Sequence, residues 1–483
     1  MAHKYLTTTL PYVNADPHIG FALEIVHADA LARYWRLMGH EVFFNTGTDE
    51  HGQKIAEKAD EKGESRQAYV DHYAGEFKKL KETLGLSIDA FIRTTNPEHK
   101  KAAQEIWKRC FESGDIYKKK YKGLYCVGDE MFMKESDLVD GRCPNHPNME
   151  LQEIEEENYF FALSKYQGYI EEYLSREGVI LPEWRRQEAL NFVKGGLEDF
   201  SISREIARMD WGVPVPGDEN HVMYVWFDAL TNYISTLGWP DDTNGTYKNF
   251  WENGEPMQMA GKDQVRFQSI MWQGMLKSAG LAPTHHVLYH GFITSGGQKM
   301  SKSLGNVISP FELIEKYGAD ATRYLLLRHV HPYEDTDITW DRMDEWYTAN
   351  LVNGLGNLVS RVMKMSESYL AEPFDENNLT DEQKKQIYSE LYTKPFDDYQ
   401  FSEVANVIWF NIKTLDEYIT DTEPFKLVKQ NPEAGKAHIK LLREGLYLIA
   451  KRLEPFMPQT SRIIIDAVKQ NKKPENLFPR LDK

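Results

Sequence analysis

Cysteine is scarce, with three residues in a chain of 483. That excludes a disulfide framework and fits a reducing compartment. Long apolar runs are missing too; no stretch approaches the ~18 apolar residues that suggest a membrane span. Positive charge is in deficit, with a formal net charge of −17 at pH 7. That balance argues against non-specific binding to polyanions, and an RNA partner would need a local basic surface. No internal repeat or low-complexity tract stands out. No signal-peptide pattern precedes the strand-like Tyr5–Leu10, so a cytoplasmic location is expected.

What is present suffices for packed interiors: 41% hydrophobic and 12% aromatic residues. The length exceeds one core, and about two to four domains are expected. Residues 4–10 are β-prone. Apolar residues at helical spacing follow from Ala22 to Met38 (Leu23, Val26, Ala30, Leu31, Tyr34, Leu37), with Gly39 as a C-cap. Glu41–Thr46 reads as a second strand. This β–α–β order predicts a parallel sheet with a right-handed crossover, whose ligands sit beyond the C-terminal strand ends. Leu10–Gly20 and Gly47–Gly52 fall there.

From Gly114 to Gly217 the pattern changes to short strand-like pieces carrying Cys126, Cys143 and His146, followed by the acidic run Glu153–Glu157. This reads as an insertion. The αβ pattern resumes near His221, with a strand over Val222–Trp226, a helix through Ser278 and a strand over Val287–His290. Beyond Trp340 the pattern is helical to about Gln470, with Leu351, Leu355, Leu358 and Val362 at three- and four-residue spacing. That predicts a C-terminal helical bundle.

Two short motifs carry chemistry. Pro17-His18-Ile19-Gly20 lies where a strand turns into a helix, and helix N-termini suit phosphate. There His18 can donate to a phosphoryl oxygen, and Gly20 lets a nucleotide approach the backbone. Lys299-Met300-Ser301-Lys302-Ser303 is flanked by Gly296-Gly297 and Gly305. Two lysines three apart on a mobile loop can close over a triphosphate, and catalysis of this kind is mostly positioning plus electrostatics.

The pair resembles the HIGH and KMSKS motifs of class I aminoacyl-tRNA synthetases, the second matched in full. The first ends in Phe21 where the family carries a histidine that, by analogy, stabilises the activation transition state. Leu10-Pro11-Tyr12, Gly47-Thr48-Asp49-Glu50-His51-Gly52, Tyr224-Val225-Trp226-Phe227-Asp228-Ala229 and Gly261-Lys262-Asp263 resemble segments of the methionyl branch. The resemblance implies an α/β fold: a Rossmann-type parallel-sheet catalytic domain, an inserted zinc-knuckle-like connective domain and a C-terminal α-helical bundle. The corresponding segments are 1–115 and 218–295 (catalytic), 116–217 (connective), 296–345 (KMSKS loop and stem contact) and 346–483 (anticodon binding).

The resemblance also implies roles. ATP would meet His18, Gly20, Asp263 (ribose), His290, Gly291 (adenine), Lys299 and Lys302, with Mg2+. L-Methionine would meet Leu10, Tyr12, Asp49, Trp226, Ala229, Tyr233, Phe267, Gln268 and Trp272. Asp49 would hold the ammonium in a polarizable, mostly aromatic cavity suited to a thioether. Gln268 stands where many relatives carry histidine. Asn357 and Arg361 resemble an anticodon-reading pair, and Phe425 takes the place of a stacking tryptophan. Cys126, Asp129, Cys143 and His146 form two half-knuckles for one structural Zn2+, with Asp129 in place of a second cysteine. Cys110 is expected in the core. Lys118–Lys122 reads either as an acceptor-stem contact or as a solvated loop. The partner is tRNA(Met), no membrane contact is expected, and with no further domain visible after the bundle a monomer is expected.

Other readings fit less well. Isoleucyl, valyl and leucyl relatives carry a large editing insertion for which this chain is too short. A cysteinyl relative would want a thiolate-binding metal in its amino-acid pocket. A nucleotidyltransferase would leave the helical region unexplained. A non-catalytic tRNA-binding or regulatory paralogue, motivated by Phe21, would not need an intact second motif and pocket.

Overall fold

The computed structural model describes residues 2–128, 131–133, 135–144, 146–300 and 306–481. They form two compact bodies: residues 1–17, 39–79 and 88–290, and residues 18–38, 80–87 and 291–483.

The first body is built on a six-stranded sheet. Its strands are β1 (His3–Thr8), β2 (Glu41–Thr48), β3 (Ala90–Arg93), β4 (Ile180–Leu181), β5 (Glu255–Gly261) and β6 (His286–His290). Their order is β3-β2-β1-β5-β6-β4, and every pairing is parallel. Six of the seven residues of β5 are buried, as in a sheet covered on both faces. The strand order reverses between β1 and β5, and such a switch point opens a crevice beyond the strand ends. Gly47 is required in β2: a Cβ there would lie 1.9 Å from the Ile92 carbonyl oxygen. Cys110 is fully buried within the apolar core of this body, as expected.

The insertion within this body is an antiparallel sheet. Ile116–Cys126 pairs with Gln152–Phe161 from Ile116↔Phe161 to Tyr125↔Gln152, flanked by Met131–Met133 and Phe200–Ser201. Two expectations are corrected here. Lys118–Lys122 is not a solvated loop but part of this ladder. Its register sets Lys120 against Glu157 and Lys122 against Glu155, and Lys122 ion-pairs with Glu153 at 2.7 Å. Opposite charges on facing strands favour the pairing. The strand expected over Val222–Trp226 runs instead over Asp218–Met223, and Val225–Ala229 is a short helix. Its β-branched and aromatic residues favour a strand locally, but burial and the Phe227 N–H to Tyr224 carbonyl bond turn the chain.

The second body contains the helix Ile19–Leu37 and a set of helices from Pro310 to Gln470. Ser309 opens Pro310–Tyr317 with a capping box to Glu312 and Pro310 in the first turn. The residues Leu351, Leu355, Leu358 and Val362 are buried as the spacing requires. Asp29 and Arg323 form a fully buried ion pair at 2.7 Å. Arg323 also donates to the Pro455 and Phe456 carbonyls, and Asp29 accepts from Arg33 and Ser87. This network ties Ile19–Leu37 to Ala319–His329 and to the turn before Pro458–Gln470.

Candidate active site

A cavity of about 630 Å³ lies at the C-terminal ends of β1 and β5. Leu10 and Tyr12 follow β1, Asp49 follows β2, and Asp263 follows β5; all four line the cavity. Trp226 and Phe267 complete its aromatic side, their rings nearly parallel with centroids 3.9 Å apart. The cavity thus combines one buried carboxylate with stacked aromatic faces, a chemistry suited to an amine joined to a polarizable apolar chain.

The backbone around Asp49 is tightly held. The Asp49 N–H donates to the Pro11 carbonyl at 3.0 Å, and the Val13 N–H donates to the Asp49 carbonyl at 3.2 Å. Its neighbour Glu50 is buried and takes a bidentate pair from Arg93 at 2.6 and 2.9 Å. Trp211 Nε1 donates to the Glu50 carbonyl at 2.6 Å.

Ala229, Tyr233, Gln268 and Trp272 are buried and are not among the residues lining the cavity. They are connected among themselves. Gln268 Nε2 donates to the Tyr233 hydroxyl at 2.7 Å, and Tyr233 meets Trp272 edge-on at 5.9 Å. Gln268 Oε1 and Trp272 Nε1 are buried with no hydrogen-bond partner among the described residues.

Sequence reasoning missed a buried charge cluster. His51 Nδ1 lies 2.8 Å from one Asp228 oxygen and His99 Nε2 lies 2.9 Å from the other; His99 Nδ1 meets the Ser235 hydroxyl at 2.9 Å. Burial alone would raise the Asp228 carboxyl; the His51 and His99 imidazoles override it and hold it down at about 2. Asp228 and His51 both sit in segments singled out by resemblance. Ionisable residues inside two such segments were the available signal.

Asp263 is exposed, while His290 is buried at the end of β6, paired in register with Gly261. The remaining nucleotide residues belong to the second body. His18 caps Ile19–Leu37, its Nδ1 accepting from the Gly20 N–H at 3.1 Å. A Cβ on Gly20 would stand 3.0 Å from that imidazole, and one on Gly291 would stand 2.2 Å from the Glu334 carbonyl carbon. Phe21 is buried. Ile293–Ser295 and Gln298–Lys299 form a two-residue hairpin. Its turn residues Gly296 and Gly297 have φ of 63° and 74°, the type I′ signature. The Gly297 N–H is fastened to Asp337 Oδ1 at 2.7 Å. Lys302 lies outside the described residues, as does the side chain of Lys299.

In the inserted sheet Cys126, Cys143 and His146 offer ligand atoms that all lie within 4.8 Å of one another. His146 Nδ1 is 3.8 Å from Cys126 Sγ and 3.9 Å from Cys143 Sγ. Around a tetrahedral zinc the sulfur-to-nitrogen separation would be about 3.6 Å. Gly128 leaves room for the imidazole; a Cβ there would fall 2.4 Å from the ring. Asp129, the fourth expected ligand, lies outside the described residues. Gly128 and Pro144 of this knuckle also line the cavity.

On the helix Asn357–Tyr369, Asn357 and Arg361 are one turn apart and exposed; Arg361 is ion-paired with Asp416. Phe425 is exposed on the helix Pro424–Gln430. Among the described residues, no helix is long and apolar enough to cross a membrane.

Comparison with known proteins bears on these features together. The profile of the family "tRNA synthetases class I (M)" matches residues 4–153 and 148–363. The methionine–tRNA ligase of Caldanaerobacter subterraneus subsp. tengcongensis is 41% identical over 468 residues, covering 95% of this chain and 72% of the relative. That of Nostoc sp. is 41% identical, covering 94% of this chain and 88% of the relative. Mycobacterium tuberculosis methionyl-tRNA synthetase in complex with methionyl-adenylate superposes with a TM-score of 0.88 at 34% identity, covering 100% of this chain and 98% of that structure.

Proposed function

The chain belongs to the class I tRNA synthetases of the methionyl branch, and from that premise we propose how its residues divide the work. It is a methionine–tRNA ligase that uses ATP to activate L-methionine as methionyl-adenylate and then charges tRNA. In the first step a methionine carboxylate oxygen bonds to the α-phosphorus, the α–β bridging bond breaks and pyrophosphate leaves. In the second, the terminal ribose hydroxyl of tRNA(Met) bonds to the acyl carbon, the acyl–phosphate bond breaks and AMP leaves. No covalent enzyme intermediate is required.

The observation that carries the assignment of roles is the buried Asp49 carboxylate in a cavity walled by Leu10, Tyr12, Trp226 and Phe267. Asp49 would bind the ammonium. The aromatic faces would take the thioether by dispersion and sulfur–aromatic contact. Ala229, Tyr233, Gln268 and Trp272 would shape the end of the pocket; the two unpartnered polar atoms of Gln268 and Trp272 support that. Asp263 would hold the ribose, and His290 with Gly291 the adenine. His18 and Gly20 would meet the α-phosphate, and Lys299 and Lys302 would neutralise departing pyrophosphate. Mg2+ would arrive with ATP and offset its charge.

Cys126, Cys143 and His146, with Asp129 as fourth ligand, would hold one structural zinc, as their spacing permits. Residues 116–217 would serve as the connective domain and 346–483 as the anticodon-binding domain, with Asn357, Arg361 and Phe425 reading unpaired bases. A monomer in the cytoplasm is the working state this reading carries.

Methionine-dependent ATP–pyrophosphate exchange, run against a panel of other amino acids, tests the assignment. Exchange with methionine alone is the expected result. A folded protein that binds tRNA and exchanges with no amino acid would favour the non-catalytic reading that Phe21 motivates.

A further inference from the structure

The buried cluster of Asp228, His51, His99 and Ser235 has no part in the proposed mechanism, yet two of its members stand in the segments that carry the methionine site. Asp49, the proposed ammonium carboxylate, is two residues before His51, and Trp226 and Ala229 lie on either side of Asp228. We infer that His51 and Asp228 are positioning residues, whose hydrogen bond clamps the Asp49 segment to the Trp226 helix and fixes the gap between carboxylate and aromatic wall that methionine must span. The inference rests on the methionine reading and deepens it.

Three observations support it. The first is that neither segment holds its own place. Val225–Ala229 is five residues long, and a single helical turn has too few internal hydrogen bonds to be stable alone. β2 ends at Thr48 and the next helix starts at Gln53, so residues 49–52 belong to no helix or strand. Their relative placement must come from side-chain contacts, as it does where a functional group is held by hydrogen bonds behind it.

The second is the quality of the link. His51 Nδ1 lies 2.8 Å from Asp228 Oδ2, with the two side chains 1% and 0% exposed. An ionised carboxylate only accepts, so the imidazole donates, and a charge-assisted bond away from water is a strong one. His51 Nε2 is buried with no partner among the described residues. That costs stability and leaves the bond to Asp228 as the polar role of the ring.

The third is that the two imidazoles on Asp228 lead to different places. His51 belongs to the Asp49 segment. His99, 2.9 Å from the other Asp228 oxygen, belongs to the helix Pro97–Glu112, which supplies none of the residues lining the methionine cavity. One link spans the substrate site; the other anchors it to the body behind.

That difference makes the test. His51→Ala, His51→Asn, His51→Gln and His99→Ala are made in the full chain, and each is assayed for thermal unfolding and methionine-dependent ATP–pyrophosphate exchange. His51→Ala should raise methionine KM by about tenfold with little change in kcat or in the KM for ATP, the pattern of lost amino-acid binding. It should also narrow the preference for methionine over ethionine, whose extra methylene an intact apolar pocket rejects by about 10–200-fold. His99→Ala should lower the unfolding temperature at least as much and leave methionine KM unchanged. His51→Asn sets an amide N–H near the place of Nδ1 and should restore KM. His51→Gln reaches toward the place of Nε2 instead and should not, and this pair decides the matter if His51→Ala does not fold. Equal rises in methionine KM in the His51→Ala and His99→Ala proteins would overturn the inference, because a loosened core would account for both. So would His51→Asn and His51→Gln proteins sharing one KM. Absence of exchange in the unaltered protein is a different result and counts against the methionine reading itself.

Discussion

Asp228 is fully buried and accepts from two imidazoles. Its carboxyl lies below the ordinary carboxylate value, down at about 2. A depressed carboxyl contributes stability above its unfolded value of about 4 and loses it as pH falls through the folded one. Asp228→Asn leaves two buried imidazoles with a poorer partner and should destabilise by about 3 kcal/mol near neutrality. Thermal unfolding of both proteins across pH checks this: the gap should shrink as pH drops from about 4 toward 2. Asp49 makes the complementary prediction for binding. Asp49→Asn removes the charge but keeps the shape, and methionine KM in the exchange assay should rise by about tenfold or more, the worth of one charge-assisted hydrogen bond. An unchanged KM would remove Asp49 from the ammonium site.

At the scale of elements, the hairpin that leads into the second motif depends on its turn. Gly296 and Gly297 both occupy positive φ, where an L side chain costs roughly 1–2 kcal/mol. Gly297→Ala keeps the N–H that bonds Asp337 yet strains the turn. It should slow exchange with little change in methionine KM if the loop acts on ATP as proposed above. A raised KM with unchanged kcat would contradict that division of labour. The buried Asp29–Arg323 pair is the corresponding device in the helical body, since it joins three helical segments. Arg323→Ala strands a buried carboxylate and should cost about 3–5 kcal/mol. Loss of thermal stability comparable to an exposed Arg342→Ala control would show the pair to be dispensable.

At the scale of the whole molecule, the net charge of −17 opposes a polyanionic partner. Binding to tRNA must then come from local cations and screen strongly. Raising salt from about 50 to 200 mM should weaken tRNA binding by a large factor, with little effect on exchange. Equal sensitivity of both assays would argue against a separate RNA surface. The parallel sheet, an insertion of short strand-like pieces and the helical C-terminal part were legible in the chain itself; that the insertion is antiparallel came from the structure. Their periodicities are local properties of consecutive residues, and Leu10, Tyr12 and Asp49 fell in segments placed at strand ends, where ligands of parallel sheets gather; Asp263 was picked out by resemblance alone, since the strand Glu255–Gly261 before it was not read. Other features were illegible for physical reasons. The segment after Met223 carries strand-forming residues, yet long-range packing makes it a helix. The lysines at 118–122 read as solvated until their partner strand is known. The Asp228 cluster joins His51, His99 and Ser235 from distant parts of the chain. Sequence by itself determined which chemical groups this protein holds and the order of its α/β, inserted and helical regions; tertiary structure decided the elements at Lys118–Lys122 and after Met223 and which groups share a buried space, because burial and hydrogen-bond partnership are set by neighbours remote in the chain.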